Sequence, residues 1–189
     1  MQKIRPDSLT AGFYNDGLVL FFYDDQSQES IRAISPSILE GYGNSDINSE
    51  LFEVTKKGLL VVYGLQQDDE ITIELSVGEP LSNAEEKAFG TCLPVQRAYL
   101  NLPSGKLAIE SYNNLRLSLD FDPDEEPGAL FTIPAGEYVL SIYSLDVLAE
   151  DNEYIDDEFD ESRCNHLFVL TPLYQAKPLL ERKPLIDTF

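Results

Sequence analysis

The chain predicts an all-β fold, an antiparallel β-sandwich with one or two short helical insertions. Three observations carry this reading. Alternation of apolar and polar residues dominates over helical periodicity. Apolar runs of strand length recur, with turn residues between them. Helix caps are scarce.

Along the chain, "GLVLFFY" (17–23) and "LLVVYGL" (59–65) are apolar on both faces and read as central strands. Between them "SPSILEGYG" offers Ser35 as an N-cap, Pro36 at the first helical position and Gly41 or Gly43 as a stop. "EITIELSV" places Ile71, Ile73, Leu75 and Val77 on one face, and Glu70, Thr72, Glu74 and Ser76 on a solvent face. "SNAEEKAFG" carries a capping box, Ser82 with Glu85, and Gly90 as terminator. "LRLSLDFD" repeats the alternation, with Leu115, Leu117, Leu119 and Phe121 opposed to Arg116, Ser118, Asp120 and Asp122. "YVLSIYSLDVL" (138–148) and "HLFVL" (166–170) complete a set of nine or ten strands.

Turn chemistry falls between these runs. "YNDGL" holds an Asp-Gly hairpin signal, "TKKGL" and "LPSGKL" supply short glycine turns, and "IPAGEY" links two strands through Pro134 and Gly136. The pattern implies one sandwich domain over 1–173, a closed barrel being the alternative. Residues 174–189 read as an extended C-terminal arm, because Pro178 and Pro184 forbid a continuous central strand or helix.

Charge is the chain's strongest compositional feature. Thirteen Lys and Arg against 34 Asp and Glu leave a formal net charge of −21. Such a field opposes docking on phosphate backbones and anionic lipid, so nucleic-acid and membrane partners are disfavoured. It is also regional. Between Arg116 and Arg163 there is no Lys or Arg, and those 46 residues hold fifteen of the acids. They concentrate in "DFDPDEEPG" (120–128) and "EDNEYIDDEFDES" (150–162), the latter with Tyr154, Ile155 and Phe159 inside it. Acid runs ordinarily solvate a loop. Aromatics among them supply anchors that a solubilising loop does not need, although they also serve to pin such a loop to the core.

The same residues carry no complete catalytic or metal-binding signature. Asp120, Asp122 and Asp124 have the spacing that opens an EF-hand, but Glu125 stands where glycine is required and Phe131 where the bidentate Glu belongs. One histidine and two distant cysteines do not make a zinc ligand set. Cys164 and His166, two apart, would share a strand face; the ordinary reading of such a pair is structural. Cys92 and Cys164 are expected as reduced thiols, with a disulfide as the alternative. No phosphate-cradling glycine loop is present, so neither an enzyme nor a cofactor is expected. The N-terminus lacks the apolar core of a signal peptide, which implies a cytoplasmic protein.

The stretch "LFTIPAGEYVLSIYSLDV" (130–147), with an acidic connection behind it and the closing "HLFVL", resembles the competence protein J family, bacterial inhibitors of a DNA-degrading nuclease. "SLTAGFYNDGLVLFFYDD" and "ISPSILEGYG" fall where that family has its first strand pair and a short amphipathic segment. The resemblance covers about half the chain and implies a non-enzymatic binding protein.

Together these readings lead to an acidic binding protein that engages a basic protein partner, as a nuclease inhibitor or immunity-type protein. The expected contact residues are Asp120, Asp122, Asp124, Glu125, Glu126, Tyr154, Asp156, Asp157, Glu158, Phe159, Asp160 and Glu161. A calcium- or small-ligand-binding module on the same fold is the alternative, and a domain making no specific use of its charge is a further one.

Overall fold

Two β-sheets face one another in the computed structural model, which describes residues 3–15, 19–36, 47–65, 69–90, 95–111, 115–117, 128–144 and 164–174. The strands are β1 (Leu9–Asn15), β2 (Val19–Asp24), β3 (Leu60–Gly64), β4 (Asp69–Val77), β5 (Gln96–Leu102), β6 (Lys106–Ser111), β7 (Ala129–Thr132), β8 (Gly136–Ser144) and β9 (His166–Pro172). The helices among the described residues are α1 (Gln28–Ile34), α2 (Ile47–Lys56) and α3 (Asn83–Phe89), with a 3₁₀ turn at Asp25–Ser27. One sheet has the order β1-β4-β9-β8-β5 and the other β3-β2-β6-β7. All pairs are antiparallel except β4 with β9, where Ile73 aligns with His166 and Val77 with Leu170.

Alternation explains the layers. Leu20, Phe22, Val61, Leu107 and Ile109 from one sheet meet Ile71, Ile73, Leu75, Leu140, Ile142, Phe168 and Leu170 from the other in the main core. The outer faces are not bare. Phe21, Tyr23, Leu60, Val62 and Ala108 pack under Ile31 of α1, Leu51 and Val54 of α2, and Leu115 and Leu117. On the opposite side Tyr143, Leu167 and Val169 pack under Leu81, Phe89 of α3 and Cys164. This is why the central strands are apolar on both faces.

The expected helix at "SNAEEKAFG" forms with its capping box intact, and Gly90 closes it in the left-handed conformation. Ser35 closes α1, its N–H donating to the Ile31 carbonyl at 2.9 Å; Pro36, the expected first helical position, has 3₁₀ conformation, and residues 37–46 lie outside the described set. Helices α1 and α2 were not expected from the sequence. For α2 a signal existed: Ile47, Leu51 and Val54 stand at i, i+4 and i+7.

The turn signals reverse the chain, but not within a sheet. β1 and β2, joined across Asp16-Gly17, belong to different sheets, as do β5 and β6 around Gly105, and β7 and β8 around Pro134. They are arches, not hairpins. Gly58 in "TKKGL" ends α2 before β3 and does not join two strands. Residues 115–117 keep the alternation expected of "LRLSLDFD", with Leu115 and Leu117 buried, yet they form a turn over the outer face and not a strand.

Glu74 departs furthest from its expected solvent face. It is fully buried, and its carboxylate accepts from the N–H groups of Ile4 at 2.9 Å and Arg5 at 2.8 Å, and from Ser8 Oγ at 2.8 Å. The N-terminal segment covers it, and these donors replace the water it would otherwise need. Arg5 reaches onward to Glu85 of α3 at 2.9 Å, tying segment, strand and helix together.

Candidate functional site

Strand direction determines which connections meet at one end of the sandwich. β1 finishes at Asn15 opposite Asp69, where β4 begins. β2 begins at Val19 opposite Gly64, the last residue of β3. β6 finishes at Ser111 opposite Leu20, and β8 finishes at Ser144 opposite His166, where β9 begins. Tyr63 and Ser144 share a 2.8 Å hydrogen bond between the sheets, so these termini belong to the same end. Both acidic stretches are threaded in sequence between such termini: 120–126 between Ser111 and Ala129, and 150–161 between Ser144 and His166.

The base of the longer connection is held by buried polar contacts. Asn165 N–H is shared between the Thr72 carbonyl at 3.1 Å and Thr72 Oγ1 at 2.9 Å, and Thr72 N–H returns to Asn165 Oδ1 at 2.9 Å. That oxygen also lies 2.8 Å from His166 Nδ1. The His166 ring packs edge-on to Tyr63 and tilted to Phe168. Burial pushes the Tyr63 phenol up, while the Ser144 bond acts in the opposite direction. At neutral pH it is an uncharged hydrogen-bonding group.

The shorter connection leaves from a buried ion network. The Glu110 carboxylate, fully buried, accepts from Tyr23 Oη at 2.5 Å and from Arg116 N–H at 3.1 Å, and pairs with Arg116 Nε. Arg116 Nη1 also meets Asp25 at 2.8 Å. Arg32 of α1 clamps the backbone, donating to the Arg116 carbonyl at 2.6 Å and the Leu117 carbonyl at 3.3 Å. Burial, and then the Glu110 charge, push the Tyr23 phenol far up. Tyr23 therefore remains a donor to the carboxylate.

None of the expected contact residues falls inside the described set: Asp120, Asp122, Asp124, Glu125, Glu126, Tyr154, Asp156, Asp157, Glu158, Phe159, Asp160 and Glu161 all lie outside it. The described residues supply their anchors, and sequence reasoning missed these: Tyr63, Thr72, Ser144 and Asn165 on one side, Glu110, Arg116 and Arg32 on the other. Lone polar residues inside apolar runs, such as Ser144 and Glu110, were the available signal.

Cys164 and His166 do not share a face. Cys164 joins the outer cluster beside Leu167 and Val169, with Sγ 3.7 Å from Glu74 Oε2, whereas His166 turns toward Tyr63. The bend at Asn165 breaks the strand parity between them. Cys92 lies outside the described residues. Among the described residues no three His, Cys, Asp or Glu side chains converge to hold a metal ion, and no helix is long and apolar enough to cross a membrane.

No protein-family model matches the chain, and no curated protein matches it. Solved structures do. One is ComJ, inhibitor of the DNA degrading activity of NucA, from Bacillus subtilis, with a TM-score of 0.51 and 10% identity over 88% of this chain and 98% of that one. Another is described as crocagin biosynthetic gene J, with a TM-score of 0.48 and 16% identity over the same shares. At 10% identity the likeness to ComJ is one of fold. The resemblance drawn from four short stretches of sequence is thus met by a shared architecture over most of both chains.

Proposed function

We propose that this chain is a non-enzymatic inhibitor that holds a basic protein partner, a DNA-degrading nuclease, against its acidic end. One observation carries the reading. The strand termini that bracket both acidic stretches belong to the same end of the sandwich, so ten contact carboxylates drawn from two stretches can act on one partner. A nuclease that binds a polyanion presents a basic cleft, and a dense anionic surface competes for it. The shared fold with an inhibitor of a DNA-degrading activity supports the same conclusion. Asp156, Asp157, Glu158 and Asp160, with Asp120, Asp122, Asp124, Glu125, Glu126 and Glu161, would steer the encounter. Tyr154 and Phe159 would hold the complex.

The test is DNA cleavage by NucA, and by a panel of basic endonucleases, titrated with this protein at low salt. Stoichiometric inhibition that weakens as salt rises is expected. Changing the four central acids to Asn or Gln should slow association, and Tyr154→Ala or Phe159→Ala should quicken dissociation, by about 2 kcal/mol at a hot spot. Full cleavage by every nuclease at excess protein would refute the proposal.

A further inference from the structure

Edge strands are where a sheet can still accept a partner, and the edges here differ in how they are treated. At β5 the edge is occupied: Asn101 N–H donates to the Gly58 carbonyl at 2.8 Å. β7 spans only four residues, and the Ile133 N–H, which donates to the Gly105 carbonyl at 2.8 Å, extends its ladder with β6. β3 is buried along its length. β1 is the exception. It pairs with β4 over seven residues, and among the described residues nothing bonds its other side.

Nor does the sequence of β1 protect that side. "LTAGFYN" has no proline and no charge, the usual devices that keep an edge from pairing. Leu9 is 41% and Tyr14 64% exposed, and Thr10 and Gly12 are exposed with them. Gly12 leaves the backbone open: a Cβ placed there would meet only the Ile71 carbonyl at 3.6 Å and a Thr72 methyl at 3.8 Å, both at ordinary contact distance. β1 also finishes, at Asn15, at the end where the acidic stretches rejoin the sandwich.

We propose that the open edge of β1 is a docking strand, which adds an extended, basic segment of the protein partner to the five-stranded sheet. The geometry is β-augmentation: main-chain bonds supply affinity, while the exposed side chains of Leu9 and Tyr14 offer apolar contact to the incoming strand. Charge chooses the occupant. A second copy of this chain would bring another −21 to the same edge, with strands about 4.8 Å apart, inside a Debye length of about 8 Å. A strand flanked by Lys or Arg reverses the sign of that interaction. The proposal rests on the reading of a basic partner and adds the backbone contact that orients it.

A peptide of sequence KKTVTVTVKK, titrated at low salt, tests the edge without any nuclease. The control is the same peptide N-methylated at all six residues of its TVTVTV segment, which keeps the charge and blocks donation along both bonding edges. The unmethylated peptide should bind roughly tenfold more tightly or better, because the control retains charge but loses ladder bonds. It should also slow amide hydrogen exchange within residues 9–15. Equal affinity of the two peptides, binding without protection of β1, or no binding by either would overturn the docking strand. Inhibition of nuclease in the presence of such a failure would leave the acidic end standing and remove only the edge.

Discussion

Glu110 and Arg116 show how a single polar residue in an apolar run can matter more than its neighbours. Glu110 lies wholly out of water and is satisfied by Tyr23 and Arg116. Arg116→Leu should therefore destabilise the protein by about 3 kcal/mol in urea unfolding, since it strands a buried charge. Adding Glu110→Gln to that variant should recover part of the loss; no recovery would show that packing, not charge, dominates. Glu85 makes a separate prediction in acid. Its hydrogen bond with Arg5, then its bonds from Ser82, bring its pKa from 4.5 down to about 2. A carboxylate depressed on folding stabilises above its unfolded pKa and loses that contribution as pH falls through the folded one. The stability difference between the native protein and Glu85→Gln should hold above about pH 4.5 and shrink toward pH 2. A difference independent of pH over that window would assign it to geometry instead. The pairing of Ser82 with Glu85 was legible because capping is local; Glu74 and Arg5 were not, because their partners lie some seventy residues away in sequence.

The arches between strands illustrate what an element can and cannot say about its partners. Gly105 and Gly136 each mark a reversal, and reversals are set by a few neighbouring dihedrals. Whether the returning strand pairs with its predecessor or crosses to the facing sheet depends on packing far away, so the hairpins expected from these turns became crossings. The strands themselves were readable, since β2, β3, β8 and β9 must be apolar on both faces when helices cover the outside of the sheets. Helices α1 and α2 were less so: they are short, and the Ser35-Pro36 pair that stops α1 also reads in sequence as the start of a helix. Gly105 carries a sharp test of the arch between β5 and β6. Its φ is 72°, and a Cβ there would stand 2.3 Å from the Ile133 carbonyl oxygen. Gly105→Ala should cost about 2 kcal/mol or more in equilibrium unfolding. A loss below about 0.5 kcal/mol would mean that the arch relaxes freely.

At the scale of the whole molecule, like charge works against the fold. Fifteen acids lie in a stretch without Lys or Arg, and their repulsion is screened over about 8 Å at physiological ionic strength. Moderate sodium chloride should raise the melting temperature, followed by circular dichroism at neutral pH. A flat or falling response would mean that distant Lys and Arg already balance these acids. The sandwich was legible from alternation, and the regional charge from counting; the common end of the strand termini that bracket the acidic stretches was not, because only strand direction reveals it. The position of β9 adds a consequence in time. It lies between β4 and β8, in parallel with the one and antiparallel with the other. As the chain leaves the ribosome, β4 and β8 must wait with open edges until residues 166–172 emerge, behind the most acidic stretch of the sequence. Late joining of distant segments slows folding and exposes strands to wrong partners. The like charge that strains the finished molecule would meanwhile keep nascent copies apart.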